Sequence, residues 1–202
     1  MQNFLNKLRT LKRDDVGAAL VEFALVAPVL ILLIMGMLDL GHRIYATAIL
    51  QGSVQKAARD ASLDNGSANA SAIDDRVKEL MLPVVQPEPV SDFDFSRQNY
   101  SDFSDVAKPE DFTDNNGDGE CNDGEPYDDA NDNDSWDADR GVAGQGNAKD
   151  AVLYTVKVTY PRLFPMAELI GLSQDEVIQA STVVRNQPFG EQSARGGIKN
   201  CT

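Results

Sequence analysis

The chain has 202 residues, with 32 Asp+Glu against 18 Lys+Arg, a formal net charge of -14, one His and two Cys. So acidic a balance excludes a general nucleic-acid binder, which needs a basic face for phosphates, and one His with two Cys cannot build a Cys/His zinc cluster. The charge is also unevenly placed: residues 101–140 hold 15 Asp+Glu and two Lys/Arg, leaving the rest of the chain near neutral. The length suits one domain, or a small domain with appendages.

The first seventeen residues carry Lys7, Arg9, Lys12 and Arg13. A run of 21 residues from Ala18 to Leu38 follows, interrupted only by Glu22, Pro28 and Gly36. As a helix rising about 1.5 Å per residue it spans the ~30 Å hydrocarbon core of a bilayer. The basic cluster before it places the N-terminus in the cytoplasm and everything after about Gly41 across the membrane. A secretory signal peptide is the competing reading, since Ala46-Thr47-Ala48 looks like a cleavage site. Its apolar core would be too long, however, and the site lies well beyond it. Glu22 is the exception inside the run: an ionisable group there is costly unless paired or snorkelling to the interface.

The order of these elements is informative. Gly17-Ala18-Ala19-Leu20-Val21-Glu22-Phe23, between a basic leader and an apolar helix, resembles the processing site of type IV pilin-like proteins. More specifically, residues 13–62 resemble the opening of TadE-like proteins, pseudopilins of the bacterial tight-adherence (Flp) pilus machinery. A weaker similarity returns from Val152 to Pro188. The resemblance implies a prepilin peptidase that cuts between Gly17 and Ala18 on the cytoplasmic side. It also implies a subunit-pairing role for Glu22, next to Phe23, against the new terminal amine of a neighbouring subunit. A carboxylate in hydrocarbon strongly favours such a charged partner. The implied partners are the inner membrane, the peptidase, and other Tad pilins and pilus assembly proteins, with no nucleic acid.

Beyond the span, Leu50, Val54, Ala57, Ala58 and Ala61 form an apolar stripe at helical spacing. The pattern predicts either one helix from Ala18 to about Leu63, stopped at Asn65-Gly66, or two helices hinged near Gly41. Pro28, which lacks an N–H, is expected to kink the inner part. A second helix is predicted from Ser71, as N-cap, to Leu82, burying Ile73, Val77, Leu80 and Met81, with Pro83 ending it. Val90–Phe95 reads as a short strand. Val152, Tyr154, Val156, Val158 and Tyr160 alternate with Leu153, Thr155, Lys157 and Thr159, a strand of period two. A short helix near Met166–Ile170 and a second strand over 176–185 follow. The fold class expected is α+β: a pilin-like N-terminal helix, transmembrane then amphipathic, with a small antiparallel β head. In chain order the parts are a leader (1–17), the helix (18–63), a helix and extended connector (64–100), an acidic insert (101–150) and the head with its tail (151–202).

Asp114 to Glu125 satisfies the EF-hand loop pattern D-x-[DN]-x-[DN]-G-x5-E. Asp114, Asn116 and Asp118 would offer side-chain oxygens at positions 1, 3 and 5. Gly119 permits the turn, and Glu120 would offer its backbone carbonyl. Asn122 would act directly or through water, and Glu125 would close the site bidentately. Hard oxygen donors make Ca2+ the expected ion, with a structural role. No amphipathic helix precedes Asp114 and Pro126 follows Glu125, so the loop is more like an isolated Ca2+ loop than a helix-loop-helix sensor. Asp129, Asn131, Asn133 and Asp137 echo the pattern fifteen residues later, but Asp134 stands at the glycine position and Arg140 at the acidic one. The competing reading of the insert is a disordered, solubilising acidic loop. Cys121 and Cys201 both lie beyond the span and are candidates for a disulfide. Trp136 reads as local packing and His42 as interfacial.

No nucleophile–base pair is visible, so the chain reads as a non-enzymatic structural subunit. The alternative is an uncleaved, single-pass inner-membrane protein presenting a Ca2+-dependent binding or adhesion module.

Overall fold

The computed structural model describes residues 15–63, 70–87, 89–164, 168, 171, 173–187 and 196–202. The basic leader up to Asp14, the Asn65-Gly66 stop and most of the short helix expected at 166–170 lie outside these. Helix α1 runs over Asp15–Leu63, 49 residues with Pro28 inside, and is unbroken through Gly41. Of the two sequence alternatives, the continuous helix is the one formed. Pro28 removes one N–H and Gly41 lowers propensity, but neither outweighs the strongly helical residues around them.

The described residues divide into two compact units, those within 1–44 and 162–174, and those within 45–161 and 175–202. In the first unit, nearly all the large apolar side chains of α1 from Leu20 to Leu40 face outward, among them Phe23, Leu25, Val29 and Met37. Such a helix is one that water does not favour and lipid does. At its far end Asp39 is not left bare: Arg162 Nη1 donates to Asp39 Oδ2 at 2.6 Å, and Arg162 Nε donates to the Ser173 carbonyl.

In the second unit the same helix behaves differently. Ala46, Leu50, Val54, Ala57, Ala58 and Ala61 are buried in one core with Ile73, Val77 and Met81 of helix α2 (Ala70–Met81). Helix α2 begins one residue before Ser71, and Leu80 is only half-buried. The other side of this core is a four-stranded antiparallel sheet. Its strands are β1 (Asp92–Tyr100), β3 (Val142–Ala143), β4 (Ala151–Pro161) and β5 (Asp175–Arg185), in the order β3-β1-β4-β5. A further pair, β2 (Pro126–Asp128) with β6 (Ile198–Asn200), lies outside this sheet.

The period-two reading of β4 is seen directly. Tyr154, Val156, Val158 and Tyr160 are buried while Lys157 is exposed. Register places Phe93 opposite Val158, Phe95 opposite Val156, and Ile178 opposite Val158 on the other side, so aromatic and branched side chains share the core face. The sequence expected two paired strands. The sheet has four because β1 extends from Asp92 to Tyr100, past the predicted end at Phe95, pairs along the length of β4, and carries β3 on its other edge through Gln98 and Asn99.

A clamp ties α2 to the sheet. Arg97 donates to both carboxylate oxygens of Asp74, at 3.0 and 2.5 Å, and its guanidinium lies 4.5 Å from the centre of the Tyr154 ring. The Tyr154 hydroxyl donates to Asp74 Oδ1 at 2.6 Å. Burial and the Asp74 carboxylate push the Tyr154 phenol far up, so it stays a donor.

Candidate functional site

Two regions carry the candidate site residues, and they lie in different units. At the start of α1, Gly17, Ala18, Glu22 and Phe23 are all helical and exposed. Gly17 has no heavy atom near where a side chain would sit, so its surroundings are open. Glu22 stands on a helix turn surrounded by outward-facing Leu20, Val21, Phe23 and Leu25.

The acidic insert is ordered through internal hydrogen bonds. Two short segments, 110–114 and 125–129, run antiparallel: Phe112 bridges Tyr127, Thr113 N–H donates to the Pro126 carbonyl, and Asp128 N–H donates to the Asp111 carbonyl. The first loop leaves from Asp114 and returns at Glu125. Asp114 Oδ1 accepts from Gly117 N–H at 2.5 Å and Oδ2 from Gly119 N–H at 3.0 Å. Both glycines have φ of +80°, a conformation that side chains resist, which is why this pattern needs glycine at the turn. Asp118 Oδ1 accepts from Glu120 N–H, and its Oδ2 accepts from Asn116 Nδ2 and Asn122 Nδ2. These bonds, from Asn122 foremost, hold the Asp118 carboxyl below its ordinary range.

Glu125 is the closing residue and is 2% exposed. Its Oε1 accepts from Asn115 N–H at 2.6 Å and Asn116 N–H at 3.3 Å. Its Oε2 is sealed from solvent and accepts no hydrogen bond. The Glu120 side chain is exposed, in keeping with a residue that could serve only through its carbonyl. Among the described residues, no three His, Cys, Asp or Glu side chains are arranged to hold a metal ion. The loop's oxygens come from both carboxylates and amides, and most of them already accept from the backbone.

A disulfide joins Cys121, at loop position 8, to Cys201. Around it, Gly124 N–H donates to the Cys201 carbonyl and Cys201 N–H donates to the Glu125 carbonyl. The C-terminal strand thereby brackets the backbone of the closing glutamate. Trp136 packs edge-on against Phe112 and donates through Nε1 to the Glu110 carbonyl, the local packing expected of it. An open pocket of about 370 Å³ lies between the second acidic loop and residues 142–147, lined by Asn131, Asp132 and Gln145 together with Ala130, Val142 and Ala143.

Sequence reasoning missed Glu110. It is 1% exposed and buried in the insert, where Oε1 accepts from Ala130 N–H and Oε2 from Asp137 N–H. A spacing signal was available, because Glu110 stands fifteen residues before Glu125, as Asp114 does before Asp129.

Residues 17–59 match the family model of TadE-like proteins. This TadE-like segment takes in Gly17, Glu22, the apolar run and most of the buried stripe of α1, the region in which the sequence resemblance lay. It is also the one stretch among the described residues that is long and apolar enough as a helix to cross a membrane. No curated protein matches the chain, and no solved structure does. The sheet, the acidic insert and the C-terminal strand lie outside the TadE-like segment.

Proposed function

We propose that the chain is a TadE-like pseudopilin or minor pilin, a non-enzymatic structural subunit for assembly of a Tad (Flp) pilus. It crosses the bacterial inner membrane once, with the leader cytoplasmic and the second unit periplasmic or carried into a surface filament. The observation that carries this reading is the match over residues 17–59 coinciding with a helix whose apolar side chains face outward around Glu22. A prepilin peptidase cuts between Gly17 and Ala18, and the new Ala18 amine of one subunit meets Glu22 of another. Paired this way, the two charges escape the cost of lying singly in hydrocarbon.

Calcium belongs to the same proposal. The first loop fits the ion: Asp114, Asn116, Asp118 and Glu125 present hard oxygens, and Glu125 Oε2 is a buried carboxylate oxygen without a partner. Leaving such an atom unsatisfied is costly, and a bound cation would relieve it. Asp114, Asn116, Asp118, the Glu120 carbonyl, Asn122 and Glu125 would hold Ca2+, which would neutralise part of the insert's charge and stiffen it.

Intact mass of the chain from native membranes, with and without the peptidase, tests the processing step. A start at Ala18 only when the peptidase is present, together with loss of assembly in Glu22→Ala, is the expected result. A chain that still begins at Met1, with assembly indifferent to Glu22→Ala, replaces this reading with an uncleaved, membrane-anchored binding module.

A further inference from the structure

The second acidic loop lacks its closing carboxylate in sequence, because Arg140 stands in that place. In the fold Arg140 turns away. It donates to the Pro109 carbonyl through Nε at 2.9 Å and Nη2 at 2.6 Å, and pairs with Asp111 at 2.8 Å and Asp105 at 3.7 Å. Pro109 and Asp111 flank Glu110, so the arginine braces the backbone that delivers this glutamate to the loop.

The correspondence between the loops is then close. Glu125 accepts from the N–H of position 2 of the first loop, Asn115, and Glu110 accepts from the N–H of position 2 of the second, Ala130. Asp129 caps the N–H groups of positions 5 and 6, Asn133 and Asp134, with its two oxygens, and Asp114 caps those of positions 4 and 6, Gly117 and Gly119. Positions 4 and 6 have positive φ in both loops, through Gly117 and Gly119 in one and Asp132 and Asp134 in the other. Position 3 donates to position 9 in both: Asn116 to Asn122, and Asn131 to Asp137. The paired segments 110–114 and 125–129 each read Glu-x3-Asp. The first loop opens on one segment and closes on the other, and the second loop does the reverse.

Two further observations point to a cation. Asn131 Oδ1, at ligand position 3, is sealed from solvent and accepts no hydrogen bond, as Glu125 Oε2 does in the first loop. Glu110 and Asp129 are carboxylates at 1% and 0% exposure within one loop. The nearby cations are directed elsewhere: Lys199 pairs with Asp134, which is not at a ligand position, and Arg140 with Asp111 and Asp105.

We propose that the insert is a two-ion unit, in which Glu110 closes a second Ca2+ site built on Asp129, Asn131, Asn133 and Asp137. Oxygen-only donors select a hard divalent cation of this size. The inference rests on the reading of the first loop as a Ca2+ site. The test is native mass spectrometry of the full chain in detergent micelles, titrated with Ca2+. Two ions are expected on the wild type, one on Glu110→Gln, one on Glu125→Gln and none on the double variant. A single wild-type ion, removed by Glu125→Gln and kept by Glu110→Gln, overturns the second site and leaves the first-loop reading standing. Two ions retained by Glu110→Gln remove that residue from the site. No ion on the wild type overturns both readings, and the wild-type count depends on no variant folding.

Discussion

Replacing Cys121 and Cys201 by serine tests how the C-terminal strand is held. The disulfide closes a sequence separation of 80 residues. In the chain-entropy description, releasing a loop of that length destabilises the native state by roughly 4–5 kcal/mol. Among the described residues, what remains between insert and C-terminus is the three-residue β2–β6 pairing, the Asp129 N–H to Gly197 carbonyl bond, the two backbone bonds of Gly124 and Cys201, and the exposed Lys199–Asp134 pair. Backbone bonds contribute about 1 kcal/mol each after exchange with water, and an exposed ion pair less. Those ties do not replace the cross-link. The Cys121→Ser/Cys201→Ser chain, in detergent, should therefore lose about 3–5 kcal/mol in urea unfolding followed by Trp136 fluorescence. The Cys201 and Gly124 amides should lose protection in hydrogen exchange before the amides of β4 do. Because Cys201 N–H and the disulfide bracket Glu125, Ca2+ affinity of the first loop should fall as well. A midpoint within about 0.5 kcal/mol of wild type, with the Cys201 amide still protected, would refute the reasoning and mean that β6 docks without the cross-link.

A second expectation concerns alkaline pH. Tyr100 is 1% exposed, its hydroxyl lies 3.1 Å from both Gln98 Oε1 and Asp139 Oδ2, and burial followed by Asp139 pushes it up to about 12. The folded state keeps the Tyr100 proton that the unfolded chain releases near pH 10, so this contribution to stability is constant below that value. Between about pH 10 and 12 the Tyr100 share should fall by about 2–3 kcal/mol, with Tyr100→Phe lowering the slope of the total by one proton. The third separates the two faces of α1. Leu50→Ala, at a site with 0% exposure, should cost the second unit about 2–5 kcal/mol in urea unfolding, whereas Leu25→Ala, at 74% exposure, should leave that transition unmoved. Equal effects from the two substitutions would remove the distinction between an outward apolar face and a packed one.

The sequence alone determined the features that depend on neighbours a few residues apart. Helical periodicity marked Leu50, Val54, Ala57, Ala58 and Ala61, and all five are buried. Alternation marked β4, and Gly17 through Phe23 with the apolar run marked the TadE-like segment. Loop geometry was equally local, since Asp114 reaches the amides of Gly117 and Gly119 within its own turn. Tertiary structure decided what depends on distant partners. The sheet gained β1 along its full length because register with β4 reaches Tyr100, which no local pattern encodes. Arg97 and Asp74 meet across 23 residues because α2 lies over the sheet. Glu110 reaches the second loop only because residues 110–114 and 125–129 pair antiparallel, which carries a carboxylate into the place that Arg140 leaves. Backbone hydrogen bonds within a turn can be read from the order of residues. Which strands pair, and so which buried charges face one another, follows from closing the whole chain around one core.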